Sequence, residues 1–261
     1  MALGFEEWLQ CEYVKHRVIV VPITSQWGNV TVTGPTAWTL LERIGMDPSL
    51  GPTRMKHMTL REVLFEGQTL RVLRASFSGE LGYEINLPPS HTQAMLQRLW
   101  DAGQELDICC YGIEALMIMR LEKGFLHVGA DTDGTTLPQD VGLARAVDKK
   151  KANFVGRRSL SRPAGLDTER MQLVGLQPVD RRTRLPVGAH LSTTAPPATA
   201  QGFVTSSAYS PALQQPVALA LLQRGSQRIG ERLQAWSLGT MIEAEVVKLP
   251  FFDPSGGRVH G

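Results

Sequence analysis

Short apolar segments divided by turn residues follow one another through the last third of the chain. None of them has the length or the 3.6-residue period of an amphipathic helix. A series of evenly spaced short strands without long helices is typical of a small β-barrel or sandwich. We therefore predict a C-terminal β-barrel domain over residues 166–261, with strands at 171–176, 202–206, 216–222, 232–236 and 241–247.

The first part of the chain mixes strand and helix patterns. β-branched runs predict strands at 17–23 and 29–33, and a hairpin is predicted from 69–76 and 82–87. Helices are predicted after Gly34-Pro35, from a capping box at Ser90–Gln93, and over 111–123 with Gly124 as the C-terminal cap. This order predicts an α+β region over residues 1–165, an antiparallel sheet with packed helices.

Charge and composition limit the partners. Lysine and arginine total 27 against 25 acidic residues, a net charge of +2, which gives no case for nucleic acid or for a polybasic membrane surface. No apolar run approaches the ~20 residues of a membrane span, and the first ten residues lack a signal-peptide pattern. Three cysteines, two of them adjacent, are no disulfide framework. We expect a cytoplasmic globular protein.

The common catalytic motifs are missing from the sequence. There is no G-x-G-x-x-G, no P-loop and no G-x-S-x-G nucleophile elbow. The six histidines and three cysteines do not have the spacing of a metal site, so no metal is expected. The short basic run Lys149–Lys151 is interpreted as solvated, and residues 192–200 as a loop.

Two acidic segments are candidates for a site. Glu84 follows the glycine turn at 79–82 on a predicted strand, where one carboxylate could accept two parallel hydrogen bonds from an N–H/NH₂ edge. A solvated strand glutamate is the commoner outcome for such a position. Asp131 and Asp133 could be paired acids or cation ligands, but we favour hydrogen bonds to their own turn backbone.

Several runs along almost the whole chain, in the same order, resemble the folate-binding aminomethyltransferase family. That family includes the glycine cleavage T-protein and the C-terminal parts of sarcosine oxidase and dimethylglycine dehydrogenase. Ser76–Glu80, Asp131–Asp133 and the ending Phe252-Asp253-Pro254 are most similar to the α subunit of heterotetrameric sarcosine oxidase. The resemblance is carried by 79–84, 111–124, 129–136, 154–160, 205–211 and 250–254.

The resemblance implies a cloverleaf of small domains in which Glu84 binds the pterin of tetrahydrofolate. Tyr83 and Arg145 complete the implied folate-binding set, although strand alternation places Tyr83 on the face opposite Glu84. In the oxidase branch, an imine from oxidative demethylation of sarcosine reacts with tetrahydrofolate to give 5,10-methylenetetrahydrofolate. Flavin and NAD are expected only in missing regions or partner subunits, and the partners are the other oxidase subunits or an N-terminal portion.

Three departures qualify the comparison with the family. The family aspartate near the folate nitrogens belongs to a segment upstream of Met1, so no catalytic residue is assigned and the chain is expected to be N-terminally incomplete. Leu116 stands where T-proteins have an arginine. The oxidase branch also has an apolar residue at this position. Arg145 replaces the usual tryptophan, and it could stack on a ligand or be solvated.

Three hypotheses follow. The leading one is a tetrahydrofolate-binding module of a sarcosine oxidase-type enzyme, part of an oxidoreductase and not a complete enzyme alone. A T-protein-like aminomethyltransferase, which takes its group from a lipoyl carrier, is the second. The third is a non-catalytic folate-binding or structural remnant.

Overall fold

The computed structural model describes residues 2–147, 153–194 and 199–261. The chain divides into two compact units. The first contains the residues up to Ser76, Glu80–Cys110 and Arg258–Gly261, and the second contains Phe77–Gly79 and Tyr111–Gly257. The basic run 149–151 and part of the predicted loop at 192–200 lie outside the described residues.

The first unit is built on a four-stranded antiparallel sheet with the order β1-β4-β3-β2. Its strands are β1 (Gly28–Thr33), β2 (Thr59–Phe65), β3 (Gln68–Arg74) and β4 (Gly82–Leu87). Its helices are α1 (Ala2–Cys11), α2 (Ala37–Arg43) and α3 (Thr92–Gly103). One face of the sheet is apolar, and it forms a single core with α2 and α3 that includes Leu41, Leu70, Val72, Ile85 and Leu99.

The second unit contains a closed barrel of six strands in the order β10-β5-β8-β7-β6-β9. These are β5 (Met171–Pro178), β6 (His190–Ser192), β7 (Gly202–Ser210), β8 (Gln215–Gln223), β9 (Arg232–Ser237) and β10 (Thr240–Val247). The unit also has the helices α4 (Ile113–Glu122), α5 (Arg157–Leu160) and α6 (Pro163–Leu166), and α7 (Gly257–His260) begins at its end.

Strand β8 is buried on both faces. Ala218, Ala220 and Leu222 point into the barrel core, while Val217 and Leu219 pack with Leu121 of α4 on the outside. Burial on both faces explains why β8 is a continuous apolar run and not an alternating one. The helix α4 therefore packs against the outside of the barrel.

The predicted α+β region and C-terminal barrel are confirmed, and all five predicted barrel strands are present. The predicted hairpin is also present as β3 and β4, which are antiparallel neighbours. Gly124 adopts a positive φ of 64° and ends α4, as predicted: its N–H bonds the Leu121 carbonyl while that of Phe125 bonds the Arg120 carbonyl. The predicted domain boundary near residue 165 stays a prediction.

Some local predictions were wrong. The run 17–23 forms no strand, because a strand needs a neighbour for its backbone groups and β1 pairs only with β4 among the described strands. The capping box at Ser90 does not form: α3 begins at Thr92, and the Ser90 hydroxyl contacts His91 Nδ1 at 3.0 Å instead. The elements α1, β2 and β6 were not predicted from the sequence.

Candidate functional site on the open sheet face

Glu84 lies at the centre of the sheet face that does not belong to the first unit's core. In the strand register it is paired with Thr31 of β1 on one side and with Leu73 of β3 on the other. Its side chain is half-buried, yet it makes no hydrogen bond or ion pair with any other described residue. A half-buried carboxylate without protein donors is an open acceptor pair for a ligand.

The glycine turn before β4 allows this placement. Gly82 approaches the chain so closely that an added Cβ would lie 2.5 Å from the Ala75 carbonyl oxygen. A side chain is therefore excluded two residues before Glu84 on the same face of the strand. The Ala75 backbone thus lies against Gly82, which is buried.

A polar row lies beside Glu84 on the same face. Asn29, Asn86, Arg71 and Glu62 are register partners across all four strands. Asn29 Nδ2 donates to Asn86 Oδ1 at 3.0 Å, and Asn86 Nδ2 donates to the Arg71 carbonyl at 3.3 Å. Because its amide is held on both sides, Asn86 has a fixed orientation next to Glu84.

Arg71 and Trp27 close one end of this face. The guanidinium carbon of Arg71 lies 4.5 Å from the centroid of the Trp27 ring, and Arg71 Nε donates to Glu62 Oε1 at 2.8 Å. A cation stacked on an aromatic ring is stabilised by the ring quadrupole. The open face thus presents an acidic group at its centre and a stacked cation at its edge.

Tyr83 points to the other side of the sheet and is fully buried. Its ring centroid lies 6.2 Å from that of Trp38, and its hydroxyl has no hydrogen-bond partner among the described residues. Burial raises the pKa of the Tyr83 phenol, and the nearby Arg74 lowers it to a smaller extent. The structure does not bring Tyr83 and Glu84 to one face.

Arg145, the third predicted folate residue, is exposed in a short 3₁₀ turn at Ala144–Ala146. It belongs to the second unit, whereas Glu84 and Tyr83 belong to the first. Leu116, which stands at the position of the family arginine, is half-buried on α4. The roles of Tyr83 and Arg145 in binding stay predictions.

The acidic turn at 131–133 is divided between two environments. Asp133 Oδ1 accepts from the backbone N–H groups of Thr135 and Thr136 at 2.8 and 3.0 Å, as the turn interpretation predicted. Hydrogen bonds from Thr135 lower the pKa of Asp133. Among the described residues, no group of three or more His, Cys, Asp or Glu side chains could hold a metal ion.

Asp131 was only partly predicted. It accepts from the His127 N–H in its own turn at 2.9 Å, but it is fully buried and also forms an ion pair with Arg120 of α4 at 2.5 Å. The hydroxyls of Thr205 and Ser206 on β7 donate to its other oxygen. The aspartate therefore links the turn, α4 and the barrel instead of facing a ligand.

A cavity of about 300 Å³ opens elsewhere in the first unit. It lies between α3 and the β2–β3 hairpin, and its lining includes Phe65, Leu87, Met95 and Arg98 but not Glu84. None of the predicted site residues lines this cavity. In the described ranges, no helix has both the length and the apolar character that crossing a membrane requires.

Comparison with known proteins identifies the class to which this fold and site belong. Residues 4–151 match the family described as the GCVT N-terminal domain, and residues 171–253 match the glycine cleavage T-protein C-terminal barrel domain. The first match covers more than half of the chain. The protein therefore belongs to the glycine cleavage T-protein family, as the sequence motifs predicted.

The individual similarities are more specific. The chain is 40% identical to the sarcosine oxidase subunit alpha of Corynebacterium sp. (strain P-1) over 98% of this chain and 27% of that protein. It is 28% identical to the aminomethyltransferase of Pseudothermotoga lettingae, over 94% of this chain and 65% of that one. The chain thus spans about a quarter of the length of the oxidase subunit that it resembles.

A solved structure shares the fold. The crystal structure of the glycine cleavage system aminomethyltransferase T from Bartonella henselae matches with a TM-score of 0.73 and 26% identity. The match covers 87% of this chain and 60% of that one.

Proposed function

We propose that the chain is a tetrahydrofolate-binding module of a sarcosine oxidase-type enzyme. The observation that carries this proposal is the Glu84 carboxylate, half-buried on an open sheet face and without a donor among the described residues. A pterin offers an amide N–H beside an amino group, and this donor pair matches one carboxylate. The similarity to sarcosine oxidase subunit alpha over nearly the whole chain supports the same proposal.

The chemistry proposed for the whole enzyme is one-carbon transfer. An imine from the oxidative demethylation of sarcosine gives its methylene carbon to the two amine nitrogens of tetrahydrofolate, which yields 5,10-methylenetetrahydrofolate and releases glycine. When bound, tetrahydrofolate supplies those nitrogens. This chain's contribution is orientation: Glu84 fixes the pterin edge, and a fixed nucleophile lowers the entropic part of the barrier.

Neither the flavin nor the nicotinamide chemistry is assigned to residues of this chain. We propose that they reside in other subunits or in portions of a longer polypeptide. The fraction of the oxidase subunit that this chain spans, 27%, is consistent with that arrangement.

Calorimetric titration of the purified chain with a stable reduced folate tests the proposal. Glu84→Gln removes the charge and one of the two acceptors, so we expect the affinity to fall about 100-fold or more. Glu105→Gln is the matched control, because Glu105 is an exposed glutamate of the same unit that pairs with Arg43 away from this face. Equal affinity in the wild type and Glu84→Gln would refute the site.

A second candidate is a T-protein-like aminomethyltransferase, which the similarity to the Bartonella henselae structure favours. It would take its aminomethyl group from a lipoylated carrier protein. Formation of methylenetetrahydrofolate from such a donor, without flavin-bearing subunits, would distinguish it. A folate-binding protein that copurifies with no flavin subunit and accepts neither donor would be the non-catalytic alternative.

A further inference from the structure

We propose that Arg71, held on Trp27, is the receptor for the carboxylates of the glutamyl tail of folate. This inference rests on the proposed function and adds a second, separate contact for the same ligand. It assigns the two ends of one molecule to two places on the open sheet face: the pterin to Glu84 at the centre and the anionic tail to Arg71 at the edge.

The guanidinium of Arg71 is fixed before any ligand arrives. One face lies over the Trp27 ring at 4.5 Å, and the Nε edge is held by Glu62 at 2.8 Å. A cation constrained by stacking and by one hydrogen bond loses little further freedom when it binds an anion.

The terminal fork of the same guanidinium is open. Among the described residues, Nη1 and Nη2 of Arg71 have no hydrogen-bond partner, and the side chain is 42% exposed. Two parallel N–H donors in one plane match the two oxygens of a carboxylate. Because Glu62 occupies the Nε edge, its ion pair does not need to break.

The position of Arg71 relative to Glu84 suits a long ligand. Leu73 is the register partner of Glu84, and Arg71 precedes Leu73 by two residues on the same face of β3. Two residues of strand separate their rows by ~7 Å, and the Arg71 side chain extends to the ring of Trp27, the residue before β1. The aminobenzoyl-glutamate of folate is joined to the pterin through a rotatable methylene, so its carboxylates can turn toward Arg71 while the pterin lies against Glu84.

Other arginines of the first unit lack this combination. Arg74 is buried, and its terminal nitrogens donate to the backbone carbonyls of Pro52, Met55, Val259 and His260. Arg98 lies 5.4 Å from the Phe65 centroid, but its terminal nitrogen Nη1 is paired with Glu66. Arg98 is therefore a matched control for Arg71: a stacked, acid-paired arginine whose fork is already engaged.

The test compares tetrahydrofolate with 6-methyltetrahydropterin, which keeps the reduced pterin and has no carboxylate. Calorimetry on the full chain would measure both for the wild type, Arg71→Gln, Arg98→Gln and Glu84→Gln. We expect Arg71→Gln to bind tetrahydrofolate about tenfold more weakly and 6-methyltetrahydropterin as the wild type does. Arg98→Gln should bind both as the wild type does, and thermal unfolding would confirm that each variant is folded.

The outcomes separate this inference from the proposed function. Loss of both ligands in Glu84→Gln together with equal tetrahydrofolate affinity in Arg71→Gln and the wild type would overturn the tail contact and keep the pterin site. An equal loss of both ligands in Arg71→Gln would overturn it as well, because a tail contact cannot weaken a ligand without a tail. Absence of binding of either ligand to the wild type would overturn both proposals.

Discussion

The carboxylate of Asp131 lies 2.5 Å from the guanidinium of Arg120, and both side chains are almost completely buried. Removing one partner of a buried ion pair leaves the other charge uncompensated, which costs about 3–5 kcal/mol. We therefore expect Asp131→Asn to lower the free energy of unfolding by about 3 kcal/mol in urea denaturation.

Asp133→Asn is the matched control for that change, two residues away in the same turn. Asp133 is exposed, and its hydrogen bonds to the described residues lie within its own turn, so its loss should cost about 1 kcal/mol or less. Similar losses in the two variants would show that the buried ion pair is not what makes Asp131 important.

Gly202 lies where two strands of the barrel approach each other closely, so the stability of the barrel depends on it. An added Cβ there would lie 2.2 Å from the Leu221 carbonyl oxygen on the neighbouring strand, and backbone cannot move aside cheaply. We expect Gly202→Ala to cost about 2–3 kcal/mol or to prevent folding of the barrel. At Gly134, by contrast, an added Cβ meets nothing within 4 Å. Gly134→Ala should therefore have the same free energy of unfolding as the wild type in urea denaturation.

His57 makes stability depend on pH. Burial lowers the pKa of His57 below 6.5, and the charges of Arg74 and His260, which face it, lower it further. Well above pH 6.5 the ring is neutral in both the folded and the unfolded chain, so it has no effect on their difference in free energy. As the pH falls below 6.5, the unfolded chain takes up the proton first, and the stability declines until the folded-state pKa is passed.

Urea denaturation between pH 8 and pH 5 would measure this contribution. The free energy of unfolding of His57→Gln should decline less steeply over the acidic part of the range than that of the wild type. Identical slopes would mean that other groups account for the whole acidic decline.

The last residues of the chain hold the first unit together through Arg74. Its Nη2 donates to the carbonyls of Val259 and His260, at 3.4 and 2.5 Å. Ending the chain after Gly257 removes these acceptors from a buried cation, and we expect a loss of about 2–3 kcal/mol in denaturation. Arg258→Gln, which removes the partly exposed pair with Glu80 and keeps both carbonyls, should cost about 1 kcal/mol or less.

Five of the six barrel strands were predictable because each of them alternates or runs apolar between clear turn residues. The prediction of a strand at 17–23 was wrong because it rested on β-branched composition alone. Such composition favours a strand, but a strand forms only where a neighbouring strand pairs with it. The strand β6 was not predicted because its three residues are too few to show a strand pattern.

The site was predictable in part. Glu84 could be singled out because its strand alternates after a glycine turn, which fixes the face on which the carboxylate lies. Arg71 and Trp27 could not, because they meet only after three strands have paired in one register. The partners of Asp131 on β7 are more than 70 residues away in the sequence, and no local pattern announces them.

The chain order of the two units has a consequence for synthesis. Residues 111–257 of the second unit are translated between the sheet of the first unit and its last segment, Arg258–Gly261. While the ribosome makes the barrel, the acceptors of the Arg74 guanidinium that have already been translated, among the described residues, are the carbonyls of Pro52 and Met55. The first unit is thus completed only after the barrel has been made. A nascent chain stalled within the barrel would contain a first unit that lacks the hydrogen bonds from Arg74 to Val259 and His260.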